Sequence, residues 1–376
     1  LLAANVEQDE FRLKGELTQV FDVPHQIAHK HELSRWITWE IHLPDSTGVR
    51  YEHKLDSAEK KETIIKAGTD VYRQSLQGDT RRGHSLVTAI PGRMEVVLGN
   101  ILLPLAESKY RYDLYDATKR SELAKLVPEG ELWPLLDSAA STVSKVATTL
   151  KERLFLLPDS RGQVLPWSGF TAAERFVGIK GQSLITILNV LQGSSEFEYQ
   201  RAFKHIQFWA KEFGLLKLTP GFQPDGRLGV RFADPALKTP IDLAFAGHGS
   251  RQIISIITQL FWAVPESVIL IEEPELSLHP EAQVKLGELF AEAILENKQI
   301  IATTHSDFLL LSLSKAVEKG LTVEDIAVYE VTKGPQGTTT KPVKLSKRGY
   351  PLGWPPSYEK VQRQVAFDWA KGLAKE

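Results

Sequence analysis

The sequence predicts an α/β protein: a parallel sheet flanked by helices toward the C-terminal end, with an antiparallel β subdomain and a helical insertion before it. Three observations lead there. Residues 268–271 and 299–304 are short β-prone runs, the first wholly apolar and the second with Ile300-Ile301-Ala302 at its centre, each preceded by a helix-like stretch (252–263 and Pro280–Leu295), the alternation of a sheet covered on both faces. Residues 11–55 alternate β-prone runs, such as Ile37-Thr38-Trp39-Glu40-Ile41-His42-Leu43, with the turn signals Pro44-Asp45 and Thr47-Gly48, which reads as hairpins. Residues 58–77 and 121–157 space apolar residues among charges as a helix does, with Pro128-Glu129-Gly130 breaking the second stretch.

In chain order the expected parts are an antiparallel β part over 1–57, a mainly helical insertion over 58–157, a C-terminal lobe over 158–330 and an extension over 331–376. Within the lobe, residues 184–191 and 199–213 read as amphipathic helices and 228–232 as a strand after the Pro224-Asp225-Gly226 turn. Residues 299–304 read as a buried strand. The tail from Val331 is turn-rich (Lys333-Gly334-Pro335, Gly353-Trp354-Pro355-Pro356) and ends in a helix over 358–374.

With 376 residues, 42% of them hydrophobic, the chain can bury a full core in about two domains. Its 45 Lys+Arg against 47 Asp+Glu give a net charge of −2, so bulk charge argues for neither nucleic acid nor membrane as partner. Zero cysteines exclude disulfides, iron–sulfur clusters and thiol catalysis, and fit a reducing, cytoplasmic location. No membrane association is expected, because Glu266, Glu272 and Asp307 interrupt the most apolar regions, and no signal peptide is visible. Leu1 rather than Met opens the chain, as in a processed, trimmed or longer protein.

The chemistry concentrates where the two apolar runs end. Val268-Ile269-Leu270-Ile271 leads into Glu272-Glu273-Pro274-Glu275, and a strand ending in adjacent carboxylates can offer one to a Mg²⁺ shell and the next to an attacking water. An acidic cap for the following helix is the simpler alternative. The second run ends at His305, which a parallel sheet would set beside those carboxylates. Upstream, Ala246-Gly247-His248-Gly249-Ser250-Arg251-Gln252 opens a helix, and backbone N–H groups at a glycine-rich helix start form an anion site.

Taken in this order and spacing, residues 241–313 resemble the C-terminal lobe of ABC-type ATPases of the RecF/SMC/OLD group, in particular stand-alone bacterial AAA-type ATPases. The resemblance implies an ABC-ATPase-like lobe that binds ATP and Mg²⁺. Gly247, Gly249 and Ser250 are then the signature facing the nucleotide of an opposite subunit, Glu272 the Walker B acid at the metal, and Glu273 the catalytic glutamate. Residues 276–280, with Ser277 and His279, correspond to the D-loop, and His305 to the switch histidine. Glu272 departs from the more usual Asp. Weaker similarity extends to Leu154-Phe155-Leu156-Leu157-Pro158 with Arg161, to Val177-Gly178-Ile179-Lys180-Gly181, and to the ending around Trp354-Pro355.

By the same resemblance the protein is expected to work as a homodimer or higher oligomer, closing head to tail on ATP. Its cycle is expected to gate DNA binding or a separate effector or nuclease, in DNA repair or anti-phage defence. A phosphate loop reads GxxxxGK[ST], and no Gly-Lys-Ser or Gly-Lys-Thr occurs in the sequence. That loop is therefore expected upstream of Leu1, and residues 1–376 alone are expected to be catalytically incomplete. Two alternatives follow: a non-hydrolysing scaffold derived from such an ATPase, and a metal-dependent nuclease using Glu272, Glu273 and Glu275. His25, His29 and His31 with Glu32 read as a polar loop, Lys60-Lys61 and Arg81-Arg82 as solvated faces, and neither Gln19 nor Gln26 is singled out as a magnesium-sensing glutamine.

Overall fold

The computed structural model describes residues 152–163, 175–223, 226–234, 239–334 and 337–353 in full, Gln364 and Lys371, and the backbone of six strands between 36 and 97. The chain divides into two units, Leu1–Leu154 and Phe155–Glu376.

In the first unit the six strands form an antiparallel meander in sequential order: β1 Trp36–His42, β2 Gly48–Ser57, β3 Lys60–Ala67, β4 Asp70–Gln77, β5 His84–Thr88 and β6 Val96–Val97. The expected hairpins are present at β1 and β2, where Trp36 pairs with Lys54 and His42 with Gly48. The helix expected over 58–77 is not: β3 and β4 occupy it, paired from Lys60–Gln77 to Ala67–Asp70. Ile64, Ile65, Val71, Tyr72 and Leu76 do recur at nearly helical intervals. The β-branched run Thr63-Ile64-Ile65 and a two-residue Gly68-Thr69 connection, glycine first, are the stronger hairpin signals. The insertion's end is also extended, with β7 at Leu154–Leu157. The histidines near the start, Arg81-Arg82 and Gln19 or Gln26 lie outside the described residues.

The second unit is built around α3 (His248–Trp262), in which every residue from Gln252 to Trp262 is buried. Such a helix is covered all round, so apolar residues occur on every side of it, interrupted by the buried polar residues Gln252, Ser255, Thr258 and Gln259. Against it pack α1 (Leu184–Gly193) and α2 (Phe197–Glu212), which in turn contact the antiparallel sheet β10-β9-β8, with β8 at Leu216–Phe222, β9 at Leu228–Ala233 and β10 at Pro240–Asp242. A second sheet has the order β12-β11-β7, with β11 at Val268–Glu272 and β12 at Gln299–Thr303. β11 and β12 run parallel in the register Val268–Gln299 to Glu272–Thr303, so their carboxyl ends lie side by side.

Two helices complete the lobe. α4 spans Pro280–Leu295, the range the sequence predicts, with His279 as N-cap, Pro280 in the first position and Glu281 in the first turn. α5 spans Asp307–Glu318 and is capped by the Ser306 hydroxyl, which accepts from the Leu309 amide at 3.1 Å. β12 is not the buried strand its sequence suggests: Ile301 is 52% exposed and only Ile300 is half-buried. Among the described residues β12 pairs with β11 alone, and an edge strand can keep an apolar sequence without burying it. The tail begins with a hairpin, β13 (Val328–Gly334) and β14 (Gly337–Val343), so the Lys333-Gly334-Pro335 signal marks its turn region. Gln364 and Lys371 are helical; the rest of the expected terminal helix lies outside the described residues.

Candidate active site at the carboxyl ends of β11 and β12

The parallel register sets Glu272 opposite Thr303, and the chain then turns sharply. Glu273 adopts φ +43°, in the left-handed region, and its amide donates to the Thr303 carbonyl at 3.0 Å. This turn points the Glu273 carboxylate toward the end of β12, where Oε1 lies 3.5 Å from His305 Nε2. The two predicted catalytic groups thus meet, with the histidine side chain 86% exposed and the glutamate 28% exposed. Burial, then hydrogen bonding with Glu275 and its charge, push the Glu273 carboxyl above the usual carboxylate range, while His305 opposes.

Glu275 joins the two strand ends from beneath. Its Oε1 accepts from Thr304 Oγ1 at 2.6 Å and from the His305 amide at 2.9 Å, and the side chain is buried. The sequence places Glu275 among candidate carboxylates, but this role belongs to the loop geometry. Gln283 extends the connection by accepting from Ser306 Oγ at 2.5 Å and donating to the Leu278 carbonyl at 2.9 Å.

The glycine-rich turn packs beside this loop. Gly247 is the N-cap of α3, and Gly249 and Ser250 lie in its first turn. Unlike α4 and α5, α3 has no side-chain cap and no acidic residue in its first turn, so its N-terminal N–H groups and dipole are available to an anion. A Cβ at Gly249 would collide with the Ser277 carbonyl oxygen, so only glycine permits this approach. Ser277 has φ +62°, and its Oγ lies 3.2 Å from His248 Nδ1. His279 Nδ1 accepts from the Glu281 amide at 3.4 Å, which places it at the start of α4 rather than among the carboxylates.

Glu272 is exposed at the end of β11, beside Glu273. Among the described residues no group of three or more His, Asp or Glu side chains forms a metal cage. One exposed carboxylate still fits Mg²⁺, a hard cation that keeps several waters and binds through one or two carboxylates and substrate phosphates.

The sequence gives Arg161 no chemical role, yet its side chain is wholly buried beneath the carboxylates. Nη1 donates to the carbonyls of Pro158 at 2.9 Å and Glu272 at 2.5 Å, and Nη2 to that of Glu273 at 2.8 Å. Burial pushes this guanidinium down to about 10, opposed by Asp159, Glu275, Glu272 and Glu273, so it stays charged at neutral pH. One signal was available in the sequence: Gln252, Ser255 and Gln259 recur at i, i+3 and i+7 in an otherwise apolar helix. That stripe faces irregular backbone. Gln252 Nε2 donates to the Asp159 carbonyl at 2.5 Å, Ser255 Oγ to Arg161 O at 3.4 Å, and Gln259 pairs with Arg175 O at 3.0 Å and Val177 N at 2.9 Å.

In the described residues no helix is long and apolar enough to cross a membrane. No curated protein matches the sequence significantly. Among solved structures, an SmcHead bound to the C-winged helix domain of ScpA is 12% identical, covering 77% of this chain and 76% of its own, with a TM-score of 0.36. The SMC head domain from Thermotoga maritima is 11% identical, covering 80% and 76%, with a TM-score of 0.30. An Smc head domain with an extended coiled coil, bound to the C-terminal domain of ScpA and derived from Pyrococcus furiosus, is 12% identical, covering 82% and 81%, with a TM-score of 0.32. Residues 64–312, more than half of the chain, match the protein family described as "AAA domain, putative AbiEii toxin, Type IV TA system". The ABC/AAA-type reading of the motifs thus agrees with an independent match, and the chain belongs to this AAA-domain family.

Proposed function

We propose that the protein binds and hydrolyses ATP at a site completed by a second copy of the chain, and that closing and opening of this dimer gates DNA binding or a separate effector or nuclease. The observation that carries the reading is the pairing of Glu273 and His305 at 3.5 Å, beside Glu272, on the adjacent ends of two parallel strands. In it Glu273 accepts the proton of the attacking water and His305 hydrogen-bonds the terminal phosphate. When bound, Mg²⁺ supplies neutralisation of the phosphate charge, and Glu272 would hold it.

The uncapped start of α3 supports a phosphate contact, and its likeness to a signature turn favours the other subunit's nucleotide as the source of that phosphate. Because no Gly-Lys-Ser or Gly-Lys-Thr occurs in residues 1–376, the experiments use the intact native protein. The family's place in a toxin–antitoxin description fits an effector or defence role for the cycle.

The test is complementation by mixing. Glu273→Gln should slow turnover by about 10²- to 10⁴-fold while sparing ATP binding, and accumulate as an ATP-bound dimer. Gly249→Asp is a poor partner, because its side chain would also drive Ser277 away. Gly247→Asp is cleaner: no atom lies within 4 Å of its Cβ position, and Asp caps a helix well while repelling phosphate. Mixing the two variants should create heterodimers with one unmutated composite site and restore part of the turnover. No recovery despite proven subunit exchange would reject the shared site. Nucleic-acid cleavage without ATP that depends on Glu273 would point to the nuclease alternative instead.

A further inference from the structure

We propose that Arg161 is a positioning residue for Glu273: its guanidinium holds the turn that aims the catalytic carboxylate and ties that turn to the helix beginning at Gly247. The inference rests on the ATPase reading above and extends it to a residue outside the expected motifs.

The geometry is specific to a fork. Nη1 and Nη2 reach the carbonyls of two successive residues, Glu272 at 2.5 Å and Glu273 at 2.8 Å. Holding both peptide units fixes the rotation between them, where the chain leaves the sheet and Glu273 enters its left-handed conformation at φ +43°. The planar guanidinium can span two such acceptors, whereas a lysine ammonium acts as a point donor.

Stability does not explain a cation here. Arg161 is 0% exposed, and among the described residues its Nε has no hydrogen-bond partner. Burying an incompletely satisfied charge is unfavourable, and apolar side chains often fill such a volume at least as well. What the charge provides is a fixed orientation for two carbonyls beneath the reacting group.

Arg161 is itself held from the other side. The Gln252 side chain donates to the Asp159 carbonyl at 2.5 Å, and the Ser255 hydroxyl, 3.0 Å from the Arg251 carbonyl of its own helix, also lies 3.4 Å from that of Arg161, both from α3. The segment from Pro158 to Gly162 therefore bridges the helix whose first turn carries Gly249 and Ser250 to the turn that carries Glu273. A shift of α3 on engaging a partner's nucleotide would reach the chain's own carboxylate through Asp159 and Arg161.

The test compares Arg161→Lys, Gln252→Met and Glu273→Gln in the intact protein, measuring kcat, the KM for ATP and the thermal unfolding midpoint. Misplacing a reacting group by an ångström, or losing a residue that orients it, lowers rates by about 10- to 100-fold. Arg161→Lys should lower kcat by that factor, with the KM for ATP within about twofold of the native value. Gln252→Met keeps the guanidinium but frees its loop, and should show the same split at a smaller size. If Arg161→Lys fails to fold, Gln252→Met decides. Native kcat in a folded Arg161→Lys protein, or kcat and KM worsening together with the unfolding midpoint, would overturn the proposal, as would native kcat in Gln252→Met when the lysine variant does not fold. The control separates the two readings. If Glu273→Gln turns over like the native protein, the ATPase assignment itself fails; if it is inactive while Arg161→Lys is normal, only the positioning role fails.

Discussion

β11 and β12 are neighbours in one sheet, of equal length and paired residue for residue, yet they are held by different forces. β11 is secured by burial: Ile269 and Ile271 are 0% and 1% exposed, and Arg161 grips the backbone at its end. β12 is mostly exposed and is fastened at its two ends by carboxylates. At its start Lys298, almost fully buried, lies 2.6 Å from Glu296, and at its finish Glu275 accepts from Thr304 and His305. The strand that delivers Glu273 is thus part of the core, whereas the strand that delivers His305 is held by polar contacts. Hydrophobic burial is indifferent to pH, while carboxylate contacts are not.

Truncating the buried strand should have the largest effect on stability. Ile269→Ala should destabilise the lobe by about 2–5 kcal/mol, read from chemical denaturation; a loss under 1 kcal/mol would mean that β11 is not the anchored strand. Next comes the polar fastening at the far end. Glu275→Gln replaces a charged acceptor of two hydrogen bonds and should cost about 1–3 kcal/mol, with faster exchange of the His305 amide. Protection of that amide unchanged from the native protein would show that Glu275 does not hold β12.

The start of β12 should answer to acid. Burial by itself would raise the Glu296 carboxyl, but Lys298, Arg201 and His205 outweigh it and leave the group below the usual carboxylate range. Its contribution is therefore complete above the unfolded-state value and is lost as pH falls through the lower folded-state value, leaving Lys298 as a buried cation without its hydrogen-bonded carboxylate. The midpoint of unfolding should drop across that window in the native protein and drop less in Glu296→Gln. The smallest effect belongs to the exposed middle of the strand. Ile301→Ser should change stability by no more than about 0.5 kcal/mol, and a larger loss would show that this face is covered in solution.

The same contrast explains how much was legible in the sequence. α4 could be bounded to the residue because His279-Pro280-Glu281 announces its start in local chemistry. β11 and β12 could be found because their apolar runs are short and end in charged groups. Burial was another matter. Ile300-Ile301-Ala302 reads as a core strand, and only the sheet order places it at an edge among the described residues. At 58–77 the spacing of apolar residues fits helix and hairpin alike, and pairing with β2 and β5 decides, which no window of local sequence contains. At the site, Glu273 and His305 could be anticipated from strand ends, whereas Arg161 acts across 111 residues through backbone carbonyls, and only the polar stripe of Gln252, Ser255 and Gln259 hints at the segment that carries it.

The φ of +43° at Glu273 has a consequence for how this protein can fail. A non-glycine residue in the left-handed region carries roughly 1–2 kcal/mol of strain, which asparagine tolerates better than glutamate. Folding alone would favour a different residue at this position. Variants such as Glu273→Asn should fold at least as well as the native chain while losing the chemistry, the trade of stability for activity seen at strained functional positions. Inactive forms would then escape quality control and persist in a cell at normal abundance. On the proposed shared-site reading such a variant would be dominant negative, a genetic behaviour that traces to one backbone angle.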